Sequence, residues 1–437
     1  MKRRCNPADF TLAHPSCTRA VMLRHTLDHI RHGRWLSRDG IVTGSVVLLA
    51  FELAMLAFYI AGTHGLIVPL HRPTSTDFVS FYAAGSLADA GTPWLAYNQA
   101  AHHLAEQQAT QPGIAYNYFF YPPVYLLLCA LLARLPYLCG FVTFQACTLA
   151  PCFLAVRRIV RGARAVTLLA FPAVFWTIGT GQNAFLTAFL FAAGTLLVDR
   201  RPIIAGILFG MLCYKPHFGL LVPIALLAGG NWRAFCAAAV SACGLLALSV
   251  LVFGFGTWQA FLTAASGTQA VYASDAIDLA GLTSPFGAIL VLGDARWVAY
   301  AVQAAMTVFA AVVVGVAWRR GVRLPVRAAM LIAATPVAVP VFMFYDLMLV
   351  GVALAWMVRA GRETGFPAFH KTGLTILFVL PILSGNLDPH ARLLIAPSCA
   401  LLCFTLACSL VWREFGRARA SASALTASEL AVSIGPA

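Results

Sequence analysis

Apolar runs of membrane-spanning length recur along this chain, and they constrain its fold more than any other feature. Ile41 to Gly62 is the first, close to the ~20 apolar residues that a hydrocarbon core of about 30 Å requires. Further apolar segments lie near 165–178, 184–198, 203–213, 218–229, 234–254, 296–318, 322–335, 346–359, 373–384 and 391–412. With 60% hydrophobic and 11% charged residues, such a chain needs lipid to bury its surface. The pattern predicts an all-α polytopic membrane protein with about 12 transmembrane helices. Several segments are short, which suits helices broken where the backbone lines a cavity. Residues 117–156 read as two segments, 122–134 and 138–156. Only one crossing between them is compatible with Arg157 lying inside, so 122–134 is expected to be shallow or re-entrant.

A net charge of +14 would point to a nucleic-acid partner in a soluble protein, but here its placement follows topology. All but five of the 30 lysines and arginines fall into clusters that suit cytoplasmic loops. These are the N-terminal segment up to Arg38, Arg157 to Arg164, Arg200 and Arg201, Arg233, Arg319 to Arg327, Arg359 to Lys371, and Arg413 to Arg419. The five outside them are Arg72, Arg134, Lys215, Arg296 and Arg392. The basic approach to Ile41 is too long for a cleavable leader and no small-residue cleavage site follows, so both termini are expected in the cytoplasm of a cell-membrane protein. The expected division is a basic N-terminal segment 1–40, a transmembrane domain 41–412 with outside loops at 63–118 and 255–285, and a tail 413–437. The 12 cysteines include no C-x-x-C pair and none lies in the two outside loops, so they read as small packing residues rather than disulfides or metal ligands.

On this topology the polar punctuation gathers on the outer side. It comprises Asp77, Tyr121-Pro122-Pro123, Gly181-Gln182-Asn183, Tyr214-Lys215-Pro216-His217, Thr283-Ser284-Pro285, Tyr345-Asp346 and Asn386 to His390. Helix ends carry unpaired backbone groups, so their convergence can build a polar cavity at the outer surface. A transport pore would instead be expected to carry polar groups deep in its helices.

Five of these motifs, in this order, resemble glycosyltransferase family 87. They are Asp77 followed by F-V-S-F-Y-A-A-G, Y-P-P at 121–123, G-Q-N at 181–183, A-G-x-L-x-G-x-x-x-x-K-P from Ala205 to Pro216, and Y-D-L-x-L at 345–349. The resemblance spans about residues 41–412. These are multi-spanning C-type glycosyltransferases, of which polyprenol-phosphate-mannose-dependent mannosyltransferases are the best-known members. It implies a sugar moved from a polyprenyl-phosphate donor to a lipid or glycan acceptor of the envelope, on the extracytoplasmic side, with inversion. The phosphate leaves as an anion and needs no general acid, so one carboxylate can suffice where glycoside hydrolases use two.

Asp77 occupies the position where such enzymes carry their base. It precedes a helix expected over 78–90, whose dipole would keep it ionised, and the alternative is a helix cap without chemistry. Asp346 is the rival carboxylate or a positioning residue. Lys215 reads either as a ligand for the donor phosphate or as a snorkelling side chain, with His217, Arg72, Arg296, His390 and Arg392 as further phosphate candidates. Gln182 and Asn183 could bind sugar hydroxyls or merely close a turn. Tyr121, Tyr345, Trp94 and Phe81 offer flat faces to a sugar or isoprenoid, or anchor the interface. His102, His103 and Glu106, on a helix expected over 98–110, have spacing compatible with a metal, but a solvated amphipathic helix is the expectation. No cofactor is expected; a divalent cation is possible but not indicated, since T-D-F at Asp77 lacks a D-x-D motif. A flippase of lipid-linked sugars, a non-catalytic envelope-assembly protein and a ligase-like enzyme are the alternative functions.

Overall fold

The computed structural model of the chain describes residues 15–61, 67–68, 74–75, 77–273, 281–293, 295–384 and 389–433. Helix dominates, because a backbone in lipid must satisfy its own amides and a helix does so within one segment. Two helices, α1 (Pro15–His32) and α2 (Arg38–Ala61), precede a short antiparallel strand pair, Ile67–Val68 with Thr74–Ser75. Next come α3 (Phe78–Asp89), a 3-10 turn (Pro93–Tyr97) and α4 (Gln99–Ala109). The chain then runs through α5 (Pro123–Ala133), α6 (Tyr137–Ile159), α7 (Ala165–Leu169), α8 (Pro172–Thr180), α9 (Ala184–Leu197) and α10 (Pro202–Gly210). Two 3-10 turns, Met211–Tyr214 and Pro216–Gly219, lead into α11 (Val222–Ala228), α12 (Trp232–Phe253), α13 (Phe255–Ala273), α14 (Pro285–Val291), α15 (Arg296–Arg319) and α16 (Leu324–Ala338). A turn at Phe344–Leu347 opens α17 (Met348–Thr364), followed by α18 (His370–Val379), a turn at Leu380–Ser384 and α19 (Pro389–Ser433).

Among the described residues, six helical segments are long and apolar enough to cross a membrane: Arg38–Phe58, Tyr137–Ile159, Trp232–Phe253, Arg296–Arg319, Phe344–Thr364 and Pro397–Ala420. Six more apolar segments, including Pro123–Ala133, Ala184–Leu197 and Leu324–Ala338, are shorter than a full span. Five of them lie where the sequence predicts further crossings, and Pro123–Ala133 coincides with the segment expected to be shallow or re-entrant. Burial separates the helices by role. α16 is buried from Ala328 to Ala338, whereas α12 is buried only at Ala234 and Ser249 and turns most of its apolar surface outward. α10 nevertheless packs closely on α12, because Gly206 and Gly210 face the Ala234 and Ala238 carbonyls, where a Cβ would come within 2.2 and 2.4 Å. This close approach accounts for the two glycines of A-G-x-L-x-G.

The arginine clusters meet at one end of the bundle. Arg323 pairs with Glu363 and Glu414, Arg327 with Asp199, and Arg362 donates to the Arg161 carbonyl. Arg413 donates to the Gly365 carbonyl, and Phe369 N donates to Arg31 O at 2.7 Å. Gln182 and Asp346 lie at the other ends of α9 and α17, and Asp77 is bonded to Gln182. α17 alone, with its 17 residues, separates Asp346 from Glu363 by about 25 Å of helix.

One helix occupies a segment not read from the sequence as helical, and another runs across an expected segment limit. Residues 255–273, read as part of an outside loop, form α13, which packs on the Pro93–Tyr97 turn through Tyr97 and Phe261 rings 5.5 Å apart. Its sequence is rich in helix-forming and small apolar residues but carries little amphipathic periodicity, so no repeat marked it as a helix. α19 runs without a break through the expected boundary at 412/413. The ten described cysteines are free thiols; Cys129, Cys152, Cys399 and Cys403 are buried, and Cys147 is exposed on α6.

Candidate active site

Asp77 stands immediately before α3, and its backbone N–H donates to the Thr180 carbonyl at 2.8 Å. That bond ties the head of α3 to the end of α8. Its side chain caps nothing: the residue is itself in helical conformation and its carboxylate accepts no hydrogen bond from the first turn. The partner is Gln182, whose Nε2 donates to Asp77 Oδ2 at 2.9 Å. The capping alternative is therefore corrected, since the carboxylate is held by a residue 105 positions away in sequence. The helix dipole is not the leading influence on its ionisation. Burial pushes its carboxyl up from the ordinary range, and the Gln182 amide pulls it only partly back.

The G-Q-N turn is built to present that amide. Gly181 has φ 71°, and a Cβ there would lie 2.8 Å from Phe78 Cβ, so only glycine fits without strain. Gln182 is itself restrained on three sides. Tyr121 OH donates to its Oε1 at 3.3 Å, Asn183 N to the same oxygen at 3.3 Å, and Gln145 Nε2 to its carbonyl at 3.3 Å. Gln145 was not singled out in the sequence, although a glutamine inside an apolar helix is a signal in its own right. Asn183 is fully buried beside the Tyr121 and Tyr125 hydroxyls, without hydrogen-bond geometry to either.

Tyr121 bridges the two candidate carboxylates, lying within electrostatic reach of both Asp77 and Asp346. Its ring lies tilted against Tyr125 and stacked with Tyr214 at centroid distances of 4.6 and 6.5 Å, and Tyr214 OH meets Thr187 Oγ1 at 2.5 Å. The Y-P-P and Y-K-P-H motifs therefore share one aromatic wall.

Lys215 and Asp346 form the second polar centre. Lys215 Nζ donates to Asp346 Oδ1 at 2.7 Å, with side-chain exposures of 7% and 2%. Lys215 is therefore no snorkelling side chain, since it points inward, 4.5 Å from the Phe218 ring centroid and 5.6 Å from that of Tyr345. Asp346 Oδ2 also accepts from Met343 N at 3.3 Å. His217 is next to this pair, and its Nε2 is buried without a partner. The break at Pro216 that turns Lys215 inward appears as two consecutive 3-10 turns.

Other candidates fall elsewhere. Arg296 is exposed at the first residue of α15, and among the described residues no hydrogen bond or ion pair joins it to Asp77, Gln182 or Asp346. Arg72 lies outside the described residues, as do the side chains of His390 and Arg392. Thr283 and Ser284 serve the fold: Thr283 N donates to Phe342 O at 2.6 Å and Ser284 caps α14. Trp94 is exposed, whereas Phe81 is buried against Tyr121 and Tyr125. Asp89 is occupied by Arg134 at 3.2 Å.

The expectation for α4 is overturned. His102 and Glu106 are fully buried, so this is no solvated surface helix, because its face is covered by α3 and by Tyr116 and Phe119. His103 turns away to the Ile114 carbonyl at 2.9 Å. Among the described residues no group of three His, Cys, Asp or Glu side chains is assembled as a metal site.

A model of glycosyltransferase family 87 matches residues 119–344, just over half of the 437-residue chain. The chain belongs to glycosyltransferase family 87. No curated protein and no solved structure matches the chain. This family 87 protein is a membrane glycosyltransferase, acting on a sugar donor and an acceptor. The matched span covers Tyr121, Gln182, Asn183, Lys215 and His217, and it stops short of Asp77 on one side and of Tyr345 and Asp346 on the other. The match bears out the family resemblance across the central part of the 41–412 span.

Proposed function

We propose that this enzyme transfers a hexose, mannose being the family's best-known choice, from a polyprenyl-phosphate donor to a lipid or glycan acceptor, with inversion and with Asp77 as general base. The observation that carries this reading is the Gln182–Asp77 bond, which fixes a partly desolvated carboxylate beside a wall of tyrosines and a buried lysine. Gln182 engages Oδ2, and in this reading Oδ1 takes the proton of the acceptor hydroxyl as its oxygen attacks the anomeric carbon. The C1–O bond to phosphate breaks on the opposite face, and the polyprenyl phosphate leaves as an anion. Desolvation strengthens Asp77 as a base, and its proton is returned to solvent after each turnover.

Lys215 supplies the cation for the leaving phosphate by exchanging Asp346 for the donor, with His217 beside it as a further donor of hydrogen bonds. Asp346 positions Lys215 and does not take the proton. Tyr121, Asn183 and Tyr345 offer hydroxyls, an amide and ring faces to the sugar. The positive-inside distribution supports a polar end facing outward, with both termini in the cytoplasm of the cell membrane. The domain limits in this reading are 1–40, 41–412 and 413–437, with the segments 63–118 and 255–285 outside. The reading invokes no metal.

The test is transfer by purified protein in detergent from a polyprenyl-phosphate sugar, against the same sugar carried on a nucleotide. Product from the lipid donor alone, with inverted configuration, is expected. Product from the nucleotide sugar alone would rule the donor assignment out.

A further inference from the structure

Behind Asp77 lies a buried acid and imidazole that the transfer scheme leaves unused. His102 and Glu106 are fully buried on α4, and their facing atoms, Nδ1 and Oε1, are 3.8 Å apart with no hydrogen-bond partner. Their other atoms are assigned. His102 Nε2 lies 3.0 Å from the Ser80 carbonyl, which only accepts, so Nε2 carries the hydrogen. Asn117 N–H donates to Glu106 Oε2 at 3.1 Å. A neutral ring with its hydrogen on Nε2 has a bare Nδ1, and an ionised Glu106 would set a second lone pair against it. Two facing acceptors in a buried site are unfavourable, and one proton between them resolves the conflict, directly or through a water.

We propose that His102 and Glu106 are positioning residues for Asp77: a net-neutral pair sharing one extra proton, which ties α4 to the first turn of α3 without adding a negative charge beside the base. The inference rests on Asp77 being the base. Ser80 is three residues beyond Asp77, and its N–H donates to the Asp77 carbonyl at 3.2 Å, so the His102 contact holds the turn that carries the carboxylate. Glu106 is also within electrostatic reach of Asp77, so its ionisation would oppose the charge that Asp77 must carry.

The protonation states agree with this arrangement. Burial raises Glu106 to about 8 and lowers His102 to about 4, so the proton resides on Glu106 at neutral pH. The other ionisable groups facing the pair are Asp77 on α3, His103 on α4, and Tyr116 with its neighbour Tyr118 on the following segment. Tyr97 of the preceding turn packs on Phe119.

The test compares Glu106→Gln, whose amide offers His102 a donor as the protonated acid does, with Glu106→Ala and His102→Phe. Turnover in Glu106→Gln is expected to stay within about threefold of the parent, while the other two lose about tenfold or more with little change in donor KM. The parent's turnover should fall as pH passes through about 8, and Glu106→Gln should lack that limb. An infrared difference spectrum, parent minus Glu106→Gln, should show a protonated-carboxyl band at pH 7 that vanishes through the same range. Equal loss in Glu106→Gln and Glu106→Ala, or an absent band, would overturn the proposal. Full activity in Asp77→Asn with the band intact would instead remove the base assignment, and with it the pair's positioning role.

Discussion

The Lys215–Asp346 pair allows a structural role to be separated from a catalytic one. Lys215→Met leaves Asp346 buried and unpaired at 2% exposure, and breaking a buried pair on one side costs about 3–5 kcal/mol. Asp346→Asn added to it removes the orphaned charge and keeps an oxygen for Met343 N–H. The double variant should therefore recover most of that stability, because replacing both charges of a buried pair is often near neutral. Transfer should not recover, since the cation offered to the donor phosphate is gone. The assay is thermal unfolding in detergent for all four members of the cycle, followed by kcat/KM against donor concentration. If the double variant regains both stability and transfer, Lys215 is a structural partner of Asp346 and has no part in donor binding.

Three further outcomes follow from the same geometry. Gln182→Leu removes the amide donor on Asp77; losing a charge-assisted bond of about 1.5–3 kcal/mol predicts a transfer rate lower by roughly 10- to 100-fold. Because that bond lowers the Asp77 carboxyl, the acid limb of the rate profile should also move to higher pH in Gln182→Leu, and an unmoved limb would deny Asp77 its place in the profile. Gly181→Ala puts a side chain at φ 71° and against Phe78, and should cost about 1 kcal/mol or more in thermal unfolding while displacing Gln182 from Asp77. Stability should also depend on the buried pair in α4. Glu106, raised from 4.5 to about 8, contributes stability that is lost as pH rises toward 8, and His102, lowered from 6.5 to about 4, contributes stability that is lost as pH falls through 6.5 toward 4. The two oppose between 4.5 and 6.5, so the parent should lose about 2 kcal/mol between pH 6.5 and 8 and Glu106→Gln should stay flat there, as unfolding at successive pH values would reveal.

The spans and the positions of the motifs were legible because they are local properties. Ile41 to Gly62 announces α2 by composition alone, and α3 begins at Phe78 and ends at Asp89, within a residue of the helix expected over 78–90. Clustering of polar motifs at one set of helix ends followed from tracing the arginines, and the contacts among Arg161, Asp199, Arg323, Glu363 and Glu414 agree with it. Pairings between distant segments were not legible. Asp77 finds Gln182 and Lys215 finds Asp346 across 105 and 131 residues, and no periodicity encodes a partner at such separations. For α4 the local signal misled. Its sequence, QAAHHLAEQQA, is polar enough for a solvated helix, yet α3 and the 114–119 segment cover the face bearing His102 and Glu106. The passed-over Glu52, buried halfway along α2, is a reminder that a lone carboxylate within a span merits notice.

The central claim is that Asp77 takes the acceptor's proton, and the most direct measurement is the transfer rate of purified Asp77→Asn. Asparagine keeps the size of the side chain and an oxygen for the Gln182 amide, so unfolding temperature and donor affinity should change little. Transfer should fall by roughly 10²-fold or more, the scale of lost general-base assistance, while Asp346→Asn measured alongside retains more activity. Full transfer by Asp77→Asn, with product of unchanged linkage, would contradict the account and move the search for the base to Asp346.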